Sequence, residues 1–247
     1  MRLLILSELL KQRSTRTNLG LLGAMVGLVV VVMALHGLEL PVRMLAAEER
    51  QVGVLGQGQR FGVLFSAIYG AMSITAEFRH GTIRPTLLVT PRRARVLGAK
   101  LIVALLLGTI VGLAAAAVSA MVGTAALTLR GVPIELTTHD YALFLAGAAA
   151  GAALWAAIGV GIGAVVRNQI PVFIGLCTWV LFLEGLLFGD IGLSNIGRFL
   201  PGSLAMAATG QDPATLFEPI VALFLLAMYT VAASVLGWFA FTRRDVA

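Results

Sequence analysis

The chain holds one cysteine, Cys177, in 247 residues. No internal disulfide can form, and no paired thiolates exist to hold a metal. Histidine is almost as scarce: His36, His80 and His139 stand far apart at the edges of apolar runs, so no metal centre is expected. The sequence has no G-x-x-x-x-G-K-[ST] phosphate loop, no H-E-x-x-H and no G-x-S-x-G elbow. These absences argue against nucleotide hydrolysis, zinc hydrolysis and serine-esterase chemistry, and the chain is not expected to be an enzyme by itself. Charge is short too: 12% of residues are charged and 59% hydrophobic, with mean hydropathy +0.95. That balance excludes an ordinary water-soluble core and points to a membrane protein.

What is present is a series of long apolar runs. A spanning helix needs ~20 mainly apolar residues, because the hydrocarbon layer is ~30 Å thick and each residue rises ~1.5 Å. Six stretches approach that length: 19–38, 61–76, 101–129, 142–166, 170–189 and 219–241. Leu, Ala, Val and Gly dominate them, without the ten-residue alternation of a membrane barrel, so the backbone is expected to satisfy itself as helices. The expected fold is therefore all-α: a single transmembrane domain over 1–247 with six transmembrane helices.

The basic residues suggest an orientation. Arg2, Lys11, Arg13, Arg16, Arg79, Arg84, Arg92, Arg93, Arg95, Lys100, Arg167, Arg243 and Arg244 fall on one side of this threading, thirteen in all. Arg43, Arg50, Arg60, Arg130 and Arg198 fall on the other, which makes five. The positive-inside rule puts the richer side, with both termini, in the cytoplasm. The net charge of +6 then reads as topology and contact with anionic lipid headgroups, and no nucleic-acid partner is expected.

Between the spans, residues 1–18 place Leu3, Leu6 and Leu10 on one helical face and Lys11, Arg13 and Arg16 near the other, which predicts an N-terminal interfacial helix. Residues 39–60 read as an irregular outer loop because of the "GVLGQGQ" end. Residues 190–218, split by Pro201 and Gly202, suit a re-entrant hairpin or a surface helix pair. Gly147, Gly151, Gly159 and Gly163 recur every fourth position around Trp155, and Gly23 with Gly27 and Gly108 with Gly112 repeat the spacing. Small residues so placed let helix backbones approach closely. Glu184 is the one ionisable residue well inside an expected span; it reads either as a lining residue of a translocation path or as a side chain reaching the outer interface.

The polar stretch 77–95, "EFRHGTIRPTLLVTPRRAR", interrupts this pattern. It predicts a short helix with Thr82 or its neighbour as cap, Pro85 in the first turn and an end at Thr90, with Ile83, Leu87 and Leu88 along one edge. Extended to Lys100, "EFRHGTIRPTLLVTPRRARVLGAK" resembles the cytoplasmic loop after the second span of type-2 ATP-binding-cassette (ABC) permeases, with an acidic-aromatic-basic start, Gly-Thr and a "TPRR" end. "FLPGSLAMAA" and the terminal "FTRRDVA" are similar to that family more weakly, and Pro85 departs from it where Thr or Ser is commoner.

The resemblance implies a permease subunit of an ATP-driven exporter in a bacterial-type cytoplasmic membrane, moving an amphipathic or hydrophobic drug, peptide or lipid. It implies a second membrane subunit, the same or homologous, and two ABC ATPase subunits that bind the ATP and Mg. Loop 77–100 would contain the cytoplasmic coupling helix, with Glu77, Phe78, Arg79, His80, Gly81, Thr82 and Arg84 at or near the ATPase contact. Two other readings remain: an ion-coupled or passive transporter acting without an ATPase, which Glu184 favours, and an intramembrane enzyme or scaffold.

Overall fold

The computed structural model describes residues 1–39, 48–187, 194–212 and 214–243. Arg43, Asp190, Arg244 and the last two residues of the expected fifth span lie outside them. The described residues form ten α-helices and no strand: α1 (Arg2–Ser14), α2 (Arg16–Glu39), α3 (Glu48–Arg79), α4 (Ile83–Val89), α5 (Arg93–Leu129), α6 (Thr138–Val166), α7 (Gln169–Thr178), α8 (Ser194–Gly197), α9 (Pro201–Ala207) and α10 (Pro219–Arg243).

Five of these, α2, α3, α5, α6 and α10, are long and apolar enough to cross a membrane. The expected fifth span is different: Gln169–Leu183 is a shorter apolar helix. It turns π-helical over Trp179–Leu183 and stays helical to residue 187. Hydrogen bonds nevertheless fix the course of the chain around it. Arg93 Nη1 donates to the carbonyls of Phe241 (3.1 Å) and Thr242 (3.3 Å), and Arg167 Nη2 donates to that of Ala240 (2.9 Å). The end of α10 thus lies beside the start of α5 and the α6–α7 turn, at what we call the basic end. At the far end, Gln51 Nε2 donates to the Pro133 carbonyl (2.9 Å) and Gln51 Oε1 accepts from Glu135 N–H (3.1 Å). The chain between Gln169 and Pro219 therefore passes from the basic end to the far end, and α9 lies within that stretch.

The start of α3 corrects the sequence reading. Residues 48–60 were expected to be irregular, yet the helix begins at Glu48 and runs 32 residues, about 48 Å at ~1.5 Å per residue. The glycines there serve close packing. A Cβ on Gly56 would meet the Gln211 amide at 1.9 Å, and one on Gly58 would meet the Ser119 hydroxyl at 2.4 Å. Glycine costs a helix ~1 kcal/mol against alanine, an amount this packing outweighs.

Helix α6 is the axis of the bundle, touching α3, α5, α9 and α10. A capping box starts it: the Thr137 hydroxyl accepts from the Asp140 backbone while the Asp140 carboxylate accepts from Thr137 N–H. Arg167, at φ 59°, ends it, and Asn168 then caps α7 by accepting from Ile170 N–H. The glycine ladder is used on two sides. A Cβ on Gly159 would meet the Ala67 carbonyl of α3 at 2.0 Å, and one on Gly147 the Ala208 carbonyl after α9 at 1.9 Å. Gly108 and Gly112 of α5 pack on α6 in the same way, whereas Gly23 and Gly27 of α2 face open space. Of the spaced glycines singled out in the sequence, those of α5 and α6 pack against neighbouring elements and those of α2 do not.

Helix α9 lies inside the bundle. Trp155 Nε1 donates to the Pro201 carbonyl (3.3 Å), and Pro201, Ser203, Leu204, Ala205 and Ala207 are buried. Broken helix of this kind is tolerated at membrane depth when protein surrounds it.

Candidate functional site: two buried carboxylate centres

At the basic end, three helices converge on Lys100, which is 1% exposed. Its ammonium has three donors, and each is used. They reach Glu8 Oε2 of α1 (2.7 Å), Glu77 Oε1 of α3 (2.9 Å) and the Ser73 carbonyl (2.7 Å). Lys11 reinforces the pair, donating to Glu8 Oε1 at 2.6 Å and Glu77 Oε1 at 2.9 Å. Ser73 with Glu77 and Glu8 with Lys11 are spaced one helical turn apart, which puts each pair on one face of its helix. Burial works against charge on Glu8, but the adjacent Lys100, with further hydrogen bonds from Lys100 and Lys11, holds its carboxyl below the ordinary glutamate range. Two carboxylates and two ammoniums cancel, the condition under which buried charge is tolerated.

The sequence reading missed this centre. It counted Lys100 and Lys11 toward topology and left Glu8 aside. The signal was there: Lys100 sits behind Val96 and Leu97, two turns inside an apolar helix, where a lysine needs a partner.

The expected docking residues divide. Glu77 is 7% exposed, and its carboxylate points inward to Lys100. Phe78 is half-buried, edge-on to Phe241 at 6.3 Å, with the Arg167 guanidinium 5.1 Å from its ring centre. Arg79 is exposed and donates to Gln169 Oε1 (3.1 Å). His80, Gly81, Thr82 and Arg84 are exposed together at the start of α4, where Gly81 takes the positive φ of 67° that the turn requires. The expected apolar edge of α4 splits. Ile83 is buried against Leu97 and Phe241 and Leu87 is half-buried, while Leu88 and Val89 stand 83% and 86% exposed.

Glu184 occupies the second centre, toward the far end, and is also 7% exposed. Its Oε1 accepts from Trp179 Nε1 and from Gly202 N–H (2.9 Å), so α7 and α9 are tied through it. A side chain at Gly202 would displace it, since a Cβ there falls 1.5 Å from Oε2. Residues Gln59, Arg60, Val63, Val180, Glu184 and Met206 surround a cavity of about 60 Å³. The Glu77 and Glu184 sites are thus separate. Neither pairs a nucleophile with a base, and among the described residues no three His, Cys, Asp or Glu side chains converge to hold a metal. One centre is a charge-balanced ion cluster, and the other is a carboxylate beside a cavity. The sequence matches no protein-family model and no curated protein.

Proposed function

We propose that the chain is the membrane-spanning subunit of an ATP-driven ABC exporter, with its basic end in the cytoplasm and the motor on separate ATPase subunits. The observation that carries this reading is α4. It sits between the basic ends of two bundle helices, anchored by Ile83, and presents Leu88 and Val89 beside exposed Arg84, Arg92 and Arg95. An apolar pair ringed by guanidinium groups suits a protein groove with carboxylates on its rim. The short connections to α3 and α5 let a push on α4 reach both. Arg79, His80, Gly81, Thr82 and Arg84 belong to the contact surface in this reading, Phe78 supports it, and Glu77 stiffens it from behind. ATP and Mg belong to the ATPase, and a second membrane subunit completes the pathway for an amphipathic or hydrophobic substrate.

The test is purification from native membranes in mild detergent, followed by identification of partners. A copurifying phosphate-loop ATPase whose hydrolysis falls on Leu88→Glu supports the exporter. Substrate transport by the isolated chain in liposomes without nucleotide overturns it. That result would favour the ion-coupled alternative, for which buried Glu184 is the specific observation, and a dependence on an imposed pH gradient would then locate the driving force.

A further inference from the structure

The cavity beside Glu184 contains polar groups that the exporter reading leaves unused. Gln59 is 1% exposed, and its Nε2 has no hydrogen-bond partner. A buried donor left unmade costs about 1–3 kcal/mol, so its presence calls for a ligand or water. Glu184 takes its recorded hydrogen bonds on Oε1 alone, leaving Oε2 without one among the described residues. Arg60, half-exposed, faces the same cavity, and the partner of its Nη2 is Met206 Sδ at 3.9 Å, a weak acceptor. No ion pair joins Arg60 to Glu184. Among the described residues, neither Arg60 nor Glu184 takes part in an ion pair.

These placements constrain what fits. A simple anion entering the cavity is repelled by Glu184, and a simple cation passes Arg60. A zwitterion whose ammonium leads and whose anionic group follows a few bonds behind meets both charges with the right sign. Depth agrees with that order: Glu184 is buried and Arg60 is only half so. The cavity, at about 60 Å³, is several times the ~10–15 Å³ that one water needs. That admits an ammonium and its adjoining carbon and keeps the anionic group at the mouth. Val63, Val180 and Met206 line the rest, and dry walls strengthen charge-assisted hydrogen bonds. The unpartnered Gln59 Nε2 is a donor, so it serves the anionic part of the ligand.

We propose that this cavity is a binding site for a phosphoethanolamine headgroup, with its ammonium on Glu184 and its phosphate accepting from Arg60 and from Gln59 Nε2. Its source is a membrane phospholipid or a soluble headgroup fragment.

The test titrates the purified full chain in detergent with phosphatidylethanolamine, phosphatidylcholine and phosphatidylglycerol, with bound lipid read by native mass spectrometry. Choline keeps the charge but has no N–H to donate, and glycerol lacks the cation. The expected result is about tenfold tighter retention of the ethanolamine lipid than of either other, the worth of one charged hydrogen bond. Glu184→Gln is expected to abolish the preference over choline. Arg60→Gln is expected to weaken the ethanolamine and glycerol lipids alike. Equal retention of all three lipids by the wild-type chain overturns the site without recourse to any variant, and so does an unchanged preference in both variants. Glycerophosphoethanolamine added as competitor separates the sources: displacement shows that the soluble headgroup suffices, and retention of the preference without displacement assigns the site to lipid. Binding needs no ATPase, so the outcome is independent of the exporter reading.

Discussion

The two ends of the bundle each bury glutamate to the same depth, 7% exposure for Glu77 and for Glu184, yet solve the cost differently. At the basic end two carboxylates meet two ammoniums, and all three donors of Lys100 are filled. At the far end one carboxylate is held by Trp179 and the backbone of a seven-residue helix, with a guanidinium nearby that makes no ion pair with it. The first balances its charges within the protein, although among the described residues the buried Glu77 Oε2 has no hydrogen-bond partner. The second is incomplete, and incompleteness in a cavity is what a ligand needs.

That contrast breaks most severely at Lys100. Lys100→Ala strands two buried carboxylates against each other, and removing one partner of a buried ion pair costs about 3–5 kcal/mol. Reversible unfolding in detergent should show this loss, and adding Glu8→Gln should recover part of it, because the remaining charges then pair through Lys11 and Glu77. Full stability of Lys100→Ala would show that the cluster is water-filled.

Gly202→Leu tests the far centre by displacing Glu184 from α9. Overpacking of this kind costs about 1–3 kcal/mol. Fluorescence of the tryptophans should register it, because the Trp179 indole loses its acceptor; an unchanged spectrum would detach Trp179 from Glu184.

Acidification separates the ends again. The Glu8 carboxyl is held below its ordinary range, so its contribution is present above ~4.3, the free glutamate value, and is lost as the pH falls through the lower folded value. Helix α1 should loosen in that window and expose the Lys11 and Arg13 bonds to proteolysis by an acid-tolerant protease. Protection that does not change down to strong acid would deny the tie.

The smallest effect is expected at Gly27, which faces open space. Gly27→Ala should alter monomer stability by no more than ~0.5 kcal/mol. A large loss in the membrane but not in dilute detergent would reveal a second copy packed there.

Much of this fold follows from apolar run length. The α5 and α6 runs were readable because no charged residue falls within 101–129 or 142–166, and the glycine ladder of α6 announced close neighbours without naming them. Helix 48–60 was illegible because local glycine content argued against it; only Gln211 and Ser119, far along the chain, supply the reason for those glycines. The π-helical turn at Trp179–Leu183 was hidden too, since the apolar run over 170–189 carries no local sign of it. Of the candidate site, the polar loop and Glu184 stood out as exceptions to hydropathy. Glu77 was noticed but its buried ion pair was not, because its partner Lys100 looked like one more topological charge.

The fastening of α1 to the base of α3 and α5 has a further consequence. Leu3, Leu6 and Leu10 point away from the bundle, exposed by 83%, 49% and 65%. With these leucines sunk in a lipid surface, α1 becomes an outrigger joined by ions to the hull. Tilting α3 or α5 would then drag a row of leucines through the headgroups, so lipid packing itself would set the stiffness of the stroke.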